Sequence, residues 1–323
     1  MGKEKKSEIG SDSRVNFARI LGEMNETTSN LIRNFDFSYR KISEVERDVL
    51  LMRYVDALIT PKTPSGEGYR AIWEQGWSEN LRDFNSSSSL ECLIPKFVKR
   101  GDYIRFGGQW IYPFNGDFET NFVRVLRDHY FRKYFSSVDL LIEVGPGPGL
   151  NSVHFLELFP EKCVLGLDWS DSAIELMNRI REVKGLSIFG VKFDMFSPIE
   201  FDKIVGDSRL RVGILSVGAF EQLGTSYEKM LFWCLSSAQI EVVFHMETNY
   251  EAYDVRSLFD SLPMRYIEKR NWLRGYFKTL QQLSDQGALS ILESVKTFGS
   301  FFHDGYSVGI WRPNRPGASI EEN

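Results

Sequence analysis

The stretch Glu143-Val-Gly-Pro-Gly-Pro-Gly-Leu-Asn151 decides the fold, because it lies where an apolar run gives way to a helical pattern. The run Leu140–Val144 is nearly all apolar, which is typical of a buried parallel strand. Glycines are expected in the turn because a bound cofactor must approach the backbone closely, and the start of the next helix offers free N–H groups. The stretch predicts a strand–loop–helix unit that binds a ligand at Gly145, Gly147 and Gly149.

A second acid-bearing segment strengthens this prediction. Asp168 lies 19 residues past Gly149 (168 − 149), at the end of the apolar run 164–167. An acid in that place is suited to accept hydrogen bonds from two ribose hydroxyls. The spacing GxGxG differs from the dinucleotide-binding GxGxxG, because Leu150 stands where the last glycine would be. The pair of segments favours a nucleoside-containing cofactor other than a nicotinamide or flavin dinucleotide.

Strands and helices alternate beyond residue 115, which predicts an α/β fold with a Rossmann-like, doubly wound, mostly parallel seven-stranded sheet. Two final segments, 288–297 and 306–311, are expected to form an antiparallel pair joined by a tight loop, so that the C-terminal strand is antiparallel. The other predicted strands are 140–144, 163–167, 191–193, 212–217 and 240–245, and the predicted helices are 118–135, from 150, from 170, 226–235, near 255 and 272–283.

The first 115 residues form a predicted N-terminal helical extension with a small hairpin, and residues 116–323 form the cofactor-binding domain. Apolar residues recur at helical spacing between Arg14 and Leu58, which indicates two or three helices. The segment 101–113 is rich in strand-forming aromatics around Gly107 and Gly108 and predicts the hairpin. We expect the extension to roof a pocket.

The two acid-bearing segments resemble motifs I and II of the class I S-adenosylmethionine-dependent methyltransferases, and the likeness covers about 190 residues. The resemblance implies that Gly145, Gly147 and Gly149 border the methionine and ribose, and that Glu143 supports the loop or the donor's amino group. It further implies that Asp168 binds ribose, Trp169 flanks adenine and Asp194 meets the adenine amino group. The segment 212–223, with Ser216, resembles the fourth motif beneath the reacting methyl group.

Three side chains are candidates for the base that deprotonates an acceptor. Glu221 follows the fourth motif and resembles the acid of small-molecule and sugar O-methyltransferases, although it also fits a solvated acid at a helix start. His245 shares one face of a strand end with Glu247 and is equally suited to a buried structural role. His303 lies in a segment that an Asp-Gly turn explains as well. No metal site is predicted, because His245 and Glu247 have no third partner at a spacing typical of metal ligands.

Composition narrows the class of partner. The formal net charge is −5, the isoelectric point is about 5.6, and no stripe of Lys or Arg is present, which favours a small acceptor over nucleic acid.

No apolar run follows the start, so neither a signal peptide nor a membrane anchor is expected and the predicted location is cytoplasmic. Three widely spaced cysteines predict reduced thiols. The oligomeric state stays open.

These observations lead to one hypothesis and two alternatives. The hypothesis is methyl transfer from S-adenosylmethionine to a small-molecule acceptor, with a hydroxyl as the methylated group and a saccharide among the candidate acceptors. The alternatives are an NAD(P)-dependent Rossmann oxidoreductase, and a non-catalytic module that binds S-adenosylmethionine for interaction.

Overall fold

In the computed structural model, which describes residues 13–98, 100–206 and 209–314, the N-terminal part combines helices with short strands. The elements are β1 Ser13–Arg14, α1 Ala18–Leu21, α2 Glu26–Arg33, β2 Ser38–Lys41, α3 Glu44–Ile59, α4 Arg70–Ser87, β3 Ile104–Phe106 and β4 Gln109–Pro113. The predicted helices and the hairpin β3–β4 are present. The strands β1 and β2 were not predicted, because two- and four-residue segments are too short to show an alternating apolar pattern.

The rest of the described chain alternates strands and helices as the sequence predicts. The elements are α5 Phe118–Tyr134, β5 Leu140–Val144, α6 Leu150–Leu158, β6 Cys163–Asp168, α7 Asp171–Lys184, β7 Ile188–Lys192, α8 Phe201–Val205, β8 Val212–Val217, α9 Glu228–Leu235, β9 Ile240–Glu247, α10 Leu258–Arg270, α11 Tyr276–Asp285, β10 Leu289–Val295, β11 Phe298–Gly299 and β12 Ser307–Pro313. The third strand of the large sheet begins at Ile188, three residues before the predicted position at Val191.

The large sheet has the order β10-β12-β9-β8-β5-β6-β7. Strands β5 to β9 are parallel to one another, and β12 lies antiparallel between β9 and β10. This arrangement confirms the predicted Rossmann-like, mostly parallel seven-stranded sheet with an antiparallel C-terminal strand. The chain order reverses at β5, which has β6 on one side and β8 on the other, and ligands of doubly wound sheets bind outside the carboxyl ends of such strands.

A second, five-stranded sheet has the order β1-β2-β4-β3-β11 and ties the N-terminal part to the C-terminal part. Strand β11 pairs with β3, so that Phe298 lies opposite Phe106. The predicted tight loop between β10 and β12 is therefore wrong, because the chain leaves the large sheet there to contribute β11. The rings of Phe122 and Phe298 stack with centroids 4.0 Å apart, which joins α5 to the small sheet in one core. The boundary between residues 115 and 116 stays a prediction.

The start of α7 illustrates how local sequence positions the site. Ser170 has an extended backbone and its side chain accepts a hydrogen bond from the N–H of Ala173, which begins the helix directly after β6. The helix end is thereby held close to Asp168. Within the described residues, no helix has both the length and the apolar character needed to cross a membrane.

Candidate active site

A cavity of about 570 Å³ lies where β5, β6 and β8 end, and Gly145, Asp168 and Val217 line it there. Its other walls include parts of α4 and α5, the start of α6, residues 94–98 and residues between 266 and 306. Large cavities with a few convergent polar groups are the usual sites of small-molecule binding. The N-terminal part thus covers the cavity, as predicted.

The glycine loop between β5 and α6 has left-handed backbone, with φ of 68°, 51° and 81° at Gly145, Gly147 and Gly149. A Cβ atom on Gly145 would lie 2.5 Å from the Cβ of Ala219, and one on Gly147 would lie 2.8 Å from Cζ2 of Trp77. Two of the glycines are therefore required by close contacts within the chain. The approach of a cofactor, which the sequence suggests, is therefore not the only reason for glycine at these positions.

Glu143 lies beneath this loop and is fully buried. Its carboxylate accepts hydrogen bonds from Asn151 Nδ2 at 2.7 Å and from the hydroxyl of Ser152, so it fixes the start of α6. Burial raises the pKa of Glu143 to about 7. Asn151 lines the cavity, whereas Glu143 does not. This geometry supports the first of its two predicted roles, holding the loop.

Arg127, on α5, was missed by the sequence analysis. It lines the cavity with only 3% of its surface exposed, and it donates a hydrogen bond from Nη1 to Asn151 Oδ1. Its Nε has no hydrogen-bond partner among the described residues. Burial lowers the pKa of Arg127 to about 10, so the group stays cationic at neutral pH. A buried cation with a free donor is suited to an anionic ligand group.

Asp168 lines the cavity and is 5% exposed. Its Oδ2 accepts the backbone N–H of Gly147 at 3.2 Å, and its Oδ1 accepts the N–H of Ser170 at 2.8 Å. Burial raises the pKa of Asp168 to about 6 despite these hydrogen bonds. The carboxylate is thus placed at the carboxyl end of β6, where the sequence predicts it.

Trp169 is half-buried on the cavity wall, and its ring lies nearly parallel to that of Phe196 with centroids 6.2 Å apart. The guanidinium of Arg70 lies 4.8 Å from the Trp169 ring and donates to Asp194 Oδ2 at 2.6 Å. The cavity wall contains both sequence neighbours of Asp194 and not Asp194 itself. The structure therefore places Trp169 in the cavity and turns Asp194 towards Arg70.

Ser216 and His245 lie together in the core, each with no exposed surface. The Ser216 hydroxyl is 2.8 Å from His245 Nδ1, and the Tyr276 hydroxyl is 2.7 Å from His245 Nε2. Burial lowers the pKa of His245 to about 3, so the ring is neutral. Neither residue belongs to the described cavity wall. The structure thus separates these two predicted site residues from the cavity.

The loop after β8 is held by a buried carboxylate on β9. Glu247 accepts the backbone N–H groups of Ala219 and Phe220 at 3.0 Å each and of Glu221 at 3.2 Å. Burial raises the pKa of Glu247 to about 7. This carboxylate shapes the loop that carries Glu221 into the cavity.

Glu221 lines the cavity and is half-buried. Its Oε1 accepts a hydrogen bond from Gln222 Nε2 at 3.2 Å. Burial raises the pKa of Glu221 well above its ordinary range, and the nearby carboxylate of Glu247 raises it further. A carboxylate with a raised pKa is a stronger base than an ordinary glutamate, which is the property that general-base catalysis requires.

His303 lines the same cavity, and its Nδ1 is 3.0 Å from the Thr248 hydroxyl. Its ring meets Trp272 edge-on with centroids 4.6 Å apart and lies nearly parallel to Tyr266. Burial lowers the pKa of His303 to about 3, and the charges of Arg105 and Arg270 contribute. The ring is thus a neutral hydrogen-bonding group held among aromatic side chains.

Helix α4 closes the cavity on the side of the glycine loop. The rings of Trp73 and Trp77 stack with centroids 5.2 Å apart, and both line the cavity. Glu74, between them, accepts hydrogen bonds from the Ser170 hydroxyl at 2.7 Å and from the Ser172 N–H at 3.1 Å. A single carboxylate thereby joins α4 to the start of α7, a link that the sequence gives no means of predicting.

The described residues contain no group of three His, Cys, Asp or Glu side chains that could hold a metal ion. The three cysteines, all within the described ranges, carry free thiols.

No family model matches the sequence, and no curated protein matches it. Among solved structures, the chain is similar to an O-methyltransferase of neocarzinostatin biosynthesis in complex with S-adenosylmethionine and 2-hydroxy-5-methyl naphthoic acid, at 14% identity and a TM-score of 0.40. The match covers 61% of this chain and 58% of that one, so less than two thirds of that protein is matched.

Two further matches are also methyltransferases, and the description of one of them names 16S rRNA. A methyltransferase from Aquifex aeolicus has 14% identity and a TM-score of 0.39, with 58% of this chain and 88% of that chain covered. A 16S rRNA methyltransferase, RmtF, in complex with S-adenosyl-L-homocysteine has 11% identity and a TM-score of 0.43, with 89% and 88% covered. At these identities the likeness concerns the fold alone and leaves the acceptor, including nucleic acid, undecided. These three solved structures, to which the chain is similar, are all of methyltransferases.

Proposed function

We propose that this chain is a methyltransferase that takes its methyl group from S-adenosylmethionine and transfers it to a hydroxyl of a small molecule. The observation that carries the proposal is Asp168, which is buried at the end of β6, lines the cavity and is hydrogen bonded to the glycine loop. An acid in this position suits the hydroxyls of a ribose.

The residues on the cavity wall fit such a donor. In this proposal Asp168 accepts hydrogen bonds from the ribose hydroxyls, and Trp169 flanks the adenine. Arg127, whose Nε is buried without a partner in the described chain, pairs with the carboxylate of the donor's amino-acid part. Asp194 and Ser216 are assigned no contact with the donor, because neither lies on the described cavity wall.

When bound, the donor supplies an electrophilic methyl group on a sulfonium. The protein then has to align the acceptor oxygen, exclude water and remove one proton. We assign the proton to the carboxylate of Glu221, which faces the cavity and is made more basic by burial. His303 orients the acceptor by hydrogen bonding. His245 is left out of the proton transfer, because both of its ring nitrogens are engaged in the core.

The proposal is tested by following a labelled methyl group from S-adenosylmethionine to a panel of small hydroxylated acceptors, saccharides and phenols included. We expect transfer, and we expect Arg127→Gln to raise the KM for the donor about tenfold or more, because a buried charge-assisted hydrogen bond is lost. Arg124→Gln is the matched control, since Arg124 lies one turn earlier on α5 with 47% of its side chain exposed. Transfer that is equally efficient in Arg127→Gln would contradict the assigned donor site.

A further inference from the structure

Arg270 is a buried cation in the cavity wall that the proposed methyl transfer does not use. It ends α10, lines the cavity and is 7% exposed. Its Nη1 donates to the carbonyl oxygen of Thr63 at 3.1 Å, and its Cζ lies 4.8 Å and 5.4 Å from the ring centroids of Tyr69 and Trp272. Its Nε is buried without a hydrogen-bond partner in the described part of the chain.

A second buried arginine in this fold, unlike Arg270, lies against two carboxylates, although its Nη1 also has no hydrogen-bond partner among the described residues. Arg105 has no exposed surface, and its guanidinium lies 3.1 Å from a carboxylate oxygen of Asp304 and 3.6 Å from one of Asp260. Within residues 13–98, 100–206 and 209–314, Arg270 has no such ion pair. Buried cations in proteins are normally paired, because removing an isolated charge from water is costly.

The titratable groups that face Arg270 include Glu221 and His303. Glu221 is the nearby carboxyl, and burial raises its pKa by more than the charge of Arg270 lowers it. His303 is neutral at physiological pH, since burial lowers its pKa to about 3. Two aromatic side chains, Tyr69 and Trp272, line the cavity beside the guanidinium, and Phe302 also lines the cavity. This end of the cavity thus combines a cation with flat apolar walls.

We propose that Arg270 binds a carboxylate of the acceptor, so that the substrate class is a hydroxylated organic acid with a flat or apolar body. The inference rests on the proposed function, because it takes this end of the cavity as the acceptor site. A guanidinium presents Nε and Nη in a planar fork that matches the two oxygens of a carboxylate. The aromatic walls supply contact area for the body that carries the hydroxyl.

The test is calorimetric titration of the full chain with matched pairs of small probes. The probes are 4-hydroxybenzoate and 4-hydroxycinnamate, each against its own carboxamide, in the presence and in the absence of saturating S-adenosylhomocysteine. We expect each acid to bind at least about tenfold more tightly than its amide, because only the acid pairs with the guanidinium. Arg270→Gln is expected to bring this ratio to about one, and Arg270→Lys to retain part of it.

Arg256→Gln is the control, since Arg256 is an exposed arginine just before α10 with 87% of its side chain exposed, and it should keep the wild-type ratio. Acid and amide affinities that are equal in the wild type, or acids that do not bind, overturn the inference. A ratio that survives in a folded Arg270→Gln protein also overturns it. Failure to bind S-adenosylhomocysteine, measured in the same series, contradicts the proposed function. In that case the acid-to-amide ratio still tests whether Arg270 binds a carboxylate.

Discussion

The backbone N–H of Gly147 donates to Oδ2 of Asp168 at 3.2 Å, so the glycine loop after β5 and the acid after β6 form one hydrogen-bonded unit. The other carboxylate oxygen accepts the N–H of Ser170 at 2.8 Å. This unit lies at the edge of the cavity with Asp168 almost fully buried, and burial raises the pKa of Asp168 to about 6.

The raised pKa of Asp168 predicts that donor binding depends on pH. Ribose hydroxyls donate to the ionised carboxylate, so binding favours the ionised form and affinity falls as the pH drops through about 6. At about pH 5 roughly one tenth of Asp168 is ionised, which predicts a Kd for S-adenosylmethionine about tenfold weaker than at about pH 7.5. Calorimetry at several pH values measures this. An affinity that is flat over the range, or the same slope in Asp168→Asn, would count against the assignment.

The contact between Gly147 and Trp77 predicts a measurable clash. In Gly147→Ala the new Cβ would lie 2.8 Å from the Trp77 ring at a residue with φ of 51°, so we expect the free energy of unfolding to fall by about 2–4 kcal/mol. Gly107→Ala is the control, because Gly107 has φ of 59° and nothing within 4 Å of its Cβ position. It should show the backbone cost alone, about 1–2 kcal/mol.

Urea unfolding of both variants, and of Gly147→Ala combined with Trp77→Ala, separates the two costs. The double variant should lose less stability than the sum of the single variants, because the ring that clashes has been removed. Additive losses would show that Trp77 is not what excludes a side chain at this position.

The hydrogen bonds that Glu74 accepts from the start of α7 predict that this carboxylate stabilises the packing of α4 over the cavity. Burial raises the pKa of Glu74, but hydrogen bonds from Ser172 and Ser170 outweigh it and the net pKa is lowered. Its stabilising contribution is therefore complete above the pKa of the unfolded carboxyl and is lost as the pH falls through the lower folded value. We expect Glu74→Gln to reduce stability by about 1–3 kcal/mol at neutral pH and to speed hydrogen exchange along α4.

The matched control is Glu79→Gln on the same helix, whose pair with Lys96 is 3.6 Å long and partly exposed, and which should change stability by less than about 1 kcal/mol. Equal losses in the two variants, or an undiminished effect of Glu74→Gln at acidic pH, would refute the proposed link between α4 and α7.

The assignment of Glu221 as the base predicts that replacing it slows methyl transfer, whereas replacing the exposed Glu228 does not. Glu221→Gln is expected to lower kcat by about a hundredfold or more with little change in the KM for the donor, because the group that accepts the proton is lost. Glu228→Gln, an exposed acid on the following helix, is the control and should leave kcat unchanged. Steady-state rates of methyl transfer measure both, and full activity in Glu221→Gln would remove it as the base.

His245→Gln provides the complementary control for a structural role. We expect it to reduce the free energy of unfolding by about 1–3 kcal/mol, since the hydrogen bonds to Ser216 and Tyr276 are disturbed in the core. Turnover per folded molecule should change far less than in Glu221→Gln. A fall in kcat of the same size with unchanged stability would restore His245 as a catalytic candidate.

The sequence predicted the large sheet well, because most of its strands are dominated by apolar residues. Val212–Val217 matches its predicted bounds, and the motif around Gly145 lies at a strand–helix turn as expected. The strand Ile188–Lys192 was placed too late, since Gly190 interrupts its pattern and its Cβ position is filled by Ile174 of α7. A glycine required by packing between elements is not distinguishable in the sequence from one required by a turn.

The polar residues of the cavity were harder to predict. Arg127, Arg270 and Glu74 lie on helices far apart in the chain, and a helical pattern does not show which polar residue faces a cavity formed by other elements. For the same reason Glu221 and His245 were equal candidates in the sequence, whereas the structure puts Glu221 on the cavity wall and His245 in the core. Long-range packing, which local patterns do not contain, decides these positions.

Titration of the purified chain with S-adenosylmethionine, alongside NADH, tests the central claim most directly. We predict a Kd in the micromolar range for S-adenosylmethionine, a loss of about a hundredfold in Asp168→Ala, and wild-type affinity in Asp202→Asn, whose side chain is exposed on α8. Absence of binding, binding that Asp168→Ala leaves intact, or a preference for NADH would contradict it.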